Sequence, residues 1–180
     1  MRAALTLLVA AILACGRSPS PPPGGLEVPI RDSGAPLQTD SLRYALAESG
    51  PGPARLPLVF SYANTGADTI YHLDCTSWLN PMLERKEGAR WVEARYAVAP
   101  PCLRVVAVPP GAVRRDTLQL CRPTSPAQSS CQPWKVDGIG GIYRLKLNAL
   151  RVHYDAGTGG GDTLPETRRI SNSFLITSLK

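Results

Sequence analysis

From Ser41 onward, apolar and polar positions alternate with a period of two, the spacing that turns one face of an extended strand into a core. Leu42, Tyr44 and Leu46 alternate with Arg43, Ala45 and Ala47, and Leu56, Leu58, Phe60 and Tyr62 alternate with Pro57, Val59, Ser61 and Ala63. Asn64-Thr65-Gly66-Ala67-Asp68 reads as a turn, because Asn and Gly accept positive φ and Asp caps its own turn. Thr69 to Asp74 resumes as a strand, so the two runs are expected to form a hairpin. A second hairpin is expected where Met82 to Lys86 and Arg90 to Tyr96 flank Glu87-Gly88-Ala89. Further strands are Leu103 to Val108, Thr117 to Leu120 after the Pro109-Pro110-Gly111 turn, Ile142 to Val152 and Ile170 to Thr177. No stretch has the spacing of an amphipathic helix. About eight or nine short strands with turn signals between them predict an all-β, antiparallel sandwich.

Composition agrees with this pattern. The chain has 180 residues with 16 Gly and 18 Pro, too many turn-formers for a helical bundle, while 43% hydrophobic residues is too many for a disordered chain. The net charge of +6 comes from 20 basic and 14 acidic residues, and the basic ones are scattered. A nucleic-acid binder clusters its positive charge on one face or arm, so no nucleic-acid partner is expected.

The N-terminus supplies an address. Arg2 precedes twelve apolar or small residues, Ala3 to Ala14, too short a run to cross a bilayer core of about 30 Å as a permanent helix. Residues 1–14 therefore read as a signal peptide. Ile12-Leu13-Ala14-Cys15 resembles the lipobox of bacterial lipoproteins. That resemblance implies that Cys15 is acylated on its thiol, with palmitate-class chains, and becomes the new N-terminus. Acyl chains contribute about 0.8 kcal/mol per buried methylene, enough for several of them to hold the chain on a membrane without a spanning helix. In that family an Asp after the acylated Cys marks inner-membrane retention. Gly16 stands there instead, which implies an outer-membrane anchor facing the periplasm or the cell surface. Residues 15–25 are rich in Pro and Gly and form a spacer, leaving residues 26–180 as the domain.

Cys75, Cys102, Cys121 and Cys131 remain, an even number in an exported chain, and two disulfides are expected. Of the three pairings, sequence neighbours are favoured: Cys121 with Cys131, closing Arg122 to Ser130 for about 3 kcal/mol of chain entropy, and Cys75 with Cys102. A four-thiolate zinc site draws on close C-x-x-C pairs, which this chain lacks, and no metal is expected.

One motif sharpens the fold. In Asp137-Gly138-Ile139-Gly140-Gly141-Ile142-Tyr143-Arg144-Leu145, a Tyr opens a strand behind a Gly-rich corner, and it resembles the tyrosine corner of immunoglobulin-like domains. The resemblance implies that Tyr143 packs its ring inside and returns its hydroxyl to the corner backbone, while Leu145 occupies the place of the family's second Cys. Tyr62 to Gly66, Gly88 to Val92, Pro109 to Gly111 and Gly141 to Leu145 together look like bacterial immunoglobulin-like or fibronectin III-like domains. They are also loosely similar to the BsuPI type of proteinase inhibitor.

Catalytic chemistry has little to stand on. His72 and His153 belong to no ligand-spaced cluster, and no nucleophile elbow, P-loop or dinucleotide fingerprint occurs. His72 shares a strand face with Asp74, and the pair reads as a surface pair in preference to a general base with its orienter. His153 reads as solvated. Asp155 to Asp162 carries two carboxylates among glycines and is a Ca²⁺ candidate, weighed against a mobile connection. Trp91 is expected over the core. Trp78 and Trp134 lie in the cysteine-braced loops and are the candidate binding anchors, weighed against small satellite cores. The expected function is a non-enzymatic envelope lipoprotein without cofactor, presenting its braced loops to a protein or glycan. The alternatives are an inhibitor of extracytoplasmic proteases acting through Arg122 to Lys135 and, behind it, a hydrolase with a dispersed site.

Overall fold

The computed structural model describes residues 34–47, 55–74, 81–95, 104–121, 134–148, 150–158 and 160–179. In chain order the strands are β1 (Leu37–Thr39), β2 (Arg43–Ala47), β3 (Arg55–Ala63), β4 (Ile70–Asp74), β5 (Met82–Glu87), β6 (Arg90–Glu93), β7 (Arg104–Val108), β8 (Val113–Cys121), β9 (Gly141–Lys146), β10 (Leu150–Asp155), β11 (Gly160–Thr163) and β12 (Phe174–Leu179). Among the described residues one 3₁₀ turn, Glu166–Arg168, interrupts them. The chain is an all-β sandwich, with twelve strands among the described residues where eight or nine were expected.

Three sheets share one apolar core. Their strand orders are β1-β3-β8, β11-β10-β4-β7 and β2-β12-β9-β5-β6. The first and third have the strand orders of the two halves of an immunoglobulin-type sandwich, and the four-stranded sheet is an addition to that plan. The core follows the period-two reading: Leu58, Phe60 and Tyr62 of β3 point inward with Leu118 and Leu120 of β8, against Tyr44, Leu46, Leu83, Leu145, Phe174 and Ile176. One pairing departs from the expected antiparallel order. β2 runs parallel to β12, with Leu175 opposite Arg43 and Leu179 opposite Ala47.

The segment after Tyr62 also departs from expectation. β3 and β4 do not pair as a hairpin. β3 pairs with β8 over nine residues, Arg55 with Cys121 through Ala63 with Val113, and β4 pairs with β7 from Ile70 with Val108 onward. The two pairs form one ribbon that passes from sheet to sheet by bending at residues 64–69 and 109–112. Asn64 sits in the bend, 1% exposed. Its amide Nδ2 donates to the carbonyls of Asp68 and Val108, both at 2.8 Å, and its Oδ1 accepts the Gly66 N–H at 3.0 Å. Its backbone N–H donates to Ala112 and its carbonyl accepts from Gly111. Neither Asn64 nor Gly66 has positive φ. The bend is held by side-chain hydrogen bonds, which satisfy carbonyls that two unpaired strand ends leave buried. By contrast, Gly88 turns the β5–β6 hairpin with φ +59, as its position in the sequence suggested.

The stretch read as one strand from Ile142 to Val152 divides. β9 stays in the five-stranded sheet and β10 belongs to the four-stranded one, with Leu147 and Asn148 between them. Arg169 holds that break: its Nε donates to the Leu164 carbonyl at 2.7 Å and Nη1 to those of Leu147 and Asn148 at 3.0 and 3.4 Å. The tyrosine corner forms as expected. Tyr143 is fully buried, and its hydroxyl donates to the Ile139 carbonyl at 2.8 Å. Arg85 fastens the same corner from outside through the carbonyls of Asp137 and Gly138. β1 is tied in by Asn172, whose Oδ1 accepts the Thr39 N–H and whose Nδ2 donates to Thr39 Oγ1, each at 2.9 Å.

Asn64→Ala should destabilise the fold by about 2–3 kcal/mol in urea unfolding, since one buried carbonyl, one partly buried carbonyl and one N–H lose their partner. Asn64→Asp, of the same shape, should cost more, because a carboxylate then faces two carbonyl oxygens. If Asp proves as stable as Asn, the bend is held by something else. Tyr143→Phe should cost about 1–2 kcal/mol by the same measurement.

Candidate functional site

The best-defined candidate is the base of the loop that follows β8. Cys121 is buried and disulfide-bonded, and its partner lies outside the described residues. Its carbonyl accepts the Trp134 indole N–H at 2.8 Å, so the residues that bracket 122–133 are fastened to each other directly. Trp134 also bridges to Arg95, the Lys135 N–H donates to the Ala94 carbonyl, and Lys135 Nζ pairs with Glu93 at 2.6 Å. The Trp134 ring is half-buried and stands edge-on to Tyr143, with centroids 6.1 Å apart. Its polar atom and one edge are thus committed inside the fold, and only the rest of the ring faces outward. Arg95 is buried beside it, and burial pushes its guanidinium pKa down to about 10. Cys15, Cys75, Trp78, Cys102 and Cys131 lie outside the described residues.

The outer face of the five-stranded sheet carries the second constellation. Arg144 on β9 donates from Nε to Glu84 on β5 at 2.6 Å and lies 4.5 Å over the Trp91 ring. Lys146 donates to Glu166 at 3.0 Å, and Arg144 reaches the same carboxylate at 3.4 Å. The hydrogen bond from Lys146 is the main reason that the Glu166 carboxyl titrates below its usual range. Trp91 therefore does not pack over the core. Its register opposite Lys86 puts it on the solvent side, where a guanidinium covers one face of the ring.

His72 is not a surface residue: it is 5% exposed, because β4 lies between β10 and β7 and turns this side inward. His153 is solvated, as expected, and stands 3.4 Å from Asp162. It also has φ +51, at an irregularity where the β10–β11 pairing shifts register. That pairing makes β10 and β11 a hairpin in place of a connection between the last two strands. Asp155 accepts the Gly157 N–H at 2.8 Å and the Thr158 hydroxyl at 2.9 Å, and these bonds lower its pKa. The two carboxylates of the Ca²⁺ candidate are thus engaged with different partners. Among the described residues no group of three or more His, Cys, Asp or Glu is placed to hold a metal, and no helix is long and apolar enough to cross a membrane.

Sequence reading missed Arg95, Arg144 and Glu84 as site residues. The signal for Arg144 and Glu84 was the charge alternation on two neighbouring strands, which becomes a pair once the register sets them opposite each other. No protein-family model, no curated protein and no solved structure matches this chain.

Glu166 has a folded-state pKa below its unfolded one. Its contribution to stability is present above the unfolded value and is lost as pH falls through the folded value. Glu166→Gln should accordingly flatten the fall in melting temperature between about pH 5 and about pH 3, with little change near neutrality. An unchanged acid limb in the variant would show that the link to Lys146 contributes nothing.

Proposed function

We propose that this chain is a non-enzymatic, lipid-anchored protein of a bacterial envelope whose sandwich presents loop 122–133 to a protein or glycan partner. The observation that carries the reading is the closed base of that loop, where the Trp134 indole donates to the Cys121 carbonyl next to a disulfide. A loop gathered at its base loses less entropy on binding than a free one, so its contacts go further toward affinity. Cys121 pairs with Cys131 in this proposal, and Cys75 with Cys102. Cys15 carries the acyl chains, and residues 16–25 hold the domain off the membrane. The outward part of Trp134 supplies aromatic contact area beside the loop, and Trp78, which lies between Cys75 and Cys102 in sequence, is the second anchor of this proposal.

The same base favours a second reading, inhibition of an extracytoplasmic protease by loop 122–133, because inhibitors of that kind hold a stiff segment in an enzyme cleft. Cross-linking of the full-length chain in its own host, followed by mass spectrometry, separates the two. Envelope components that are lost when residues 122–133 are replaced by a Gly-Ser segment support the binding module. A single protease lost in the same way supports inhibition. Partners that survive the replacement remove the loop from both readings.

The anchor has its own test. Cells fed a clickable palmitate analogue should label the wild-type chain, and Cys15→Ser should lose the label and leave the membrane fraction. Label retained by the Ser variant excludes Cys15 as the acylated residue.

A further inference from the structure

Arg95, just past β6 at the base of the loop, is buried, with 9% of its surface exposed. Its Nε is sealed from water and makes no hydrogen bond. Glu84, the other buried acid or base of this sheet, has Arg144 at 2.6 Å. Arg95 has no such partner: among the described residues no carboxylate forms an ion pair with it and no carbonyl accepts from its guanidinium. Burial alone shifts its pKa, with no acid opposing the fall, and at about 10 the group is still charged at neutral pH.

The chain around Arg95 brings no counter-charge. Glu93, two residues before it, is taken by Lys135 at 2.6 Å. Residues 95–115 and 117–136 contain no Asp or Glu, so neither the stretch that continues from Arg95 nor the loop itself carries a carboxylate. Arg95 bridges to Trp134, and residues opposed in an antiparallel bridge project to the same side. The guanidinium therefore lies on the side of the Trp134 ring, at the point where the two ends of the loop are gathered. A buried charge without a partner is among the more costly arrangements in a folded chain. A carboxylate relieves it best, because the planar fork of a guanidinium meets both carboxylate oxygens in parallel hydrogen bonds.

We propose that Arg95 receives the carboxylate of an Asp or Glu side chain from an acidic segment of a protein partner, inserted beside Trp134 at the base of loop 122–133. The inference rests on the reading of that base as the binding surface, and it names the group that the partner brings. The small exposed area decides for a side chain: a carboxylate on a slender, flexible stem reaches a guanidinium this deep, and one fixed to a sugar ring does not.

The test uses the full-length oxidised chain and a fluorescein-labelled peptide of alternating Gly and Glu, with binding read by anisotropy at physiological salt. Without peptide, Arg95→Met should melt higher than the wild type, because an unpaired buried charge is gone. Its affinity for the peptide should fall about tenfold or more, since a buried charged contact is lost. Arg90→Met removes the same charge at an exposed place on β6 and should change the affinity less than about threefold. A lower melting temperature for Arg95→Met overturns the proposal, because Arg95 then has its partner within the fold. Equal losses in the two variants overturn it, as net charge then explains the binding, and so does a wild-type chain that ignores the peptide. Tighter binding of a labelled galacturonate oligomer, lost in Arg95→Met, gives the site to a glycan and overturns the assignment to a protein. Host partners whose cross-links need loop 122–133 but not Arg95 overturn this inference and leave the binding module standing. Partners that need neither remove the module itself.

Discussion

A sheet that hands two of its strands to a neighbouring sheet must break its own ladder, and at that point several peptide groups lose their partners inside the protein. Asn64 stands at this break and gives the Asp68 and Val108 carbonyls a donor and the Gly66 N–H an acceptor, through one side-chain amide. Asn is suited to the place because it offers a donor and an acceptor on one short side chain. Asp lacks the donor, and Gln would need more room. The rest of the architecture depends on this bend. Without it, β4 and β7 have no route from the three-stranded sheet, β10 loses its neighbour, and Leu150 and Leu164 lose the surface they cover.

The two halves of the sandwich face solvent differently. The five-stranded sheet carries a charged lattice in which Arg144 is shared between Glu84, Glu166 and the Trp91 ring. Glu84 is buried, so its pair with Arg144 is shielded from water, whereas the exposed Glu166 contributes little by itself. A guanidinium held by two carboxylates and a ring has few conformations left, however, so this face presents a fixed pattern of charge. The loop base at Cys121 and Trp134 is rigid for another reason, since its contacts run into the core through Tyr143.

What the sequence made legible was local. The period-two runs in β2 and β3 placed Tyr44, Leu46, Leu58, Phe60 and Tyr62 inside, and the Gly-rich stretch before Tyr143 named the partner region of its hydroxyl. What it hid was sheet membership, which long-range pairing decides. Nothing like Gly or Pro marks the step between β9 and β10, because the break there is held by Arg169, some twenty residues downstream in sequence. Trp91 illustrates the same limit. On a four-residue strand either face can be the inner one, and only the register with β5 decides. His72 changes from a surface reading to a buried one because it shares a strand face with Ile70, and that face is the inward one of a strand flanked by β10 and β7.

β12 lies inside the five-stranded sheet, between β2 and β9, although it follows every other strand in the chain. Ribosomal synthesis therefore delivers the piece that joins β2 to the rest only after all the others. Pairing between such distant segments is slow to form, because the closure of a long loop must precede any reward. Until residues 174–179 are present, β2 has no strand that joins it to β9, although the other two sheets contain no part of β12. Completion of the five-stranded sheet therefore waits on its last strand, however early its other members pair.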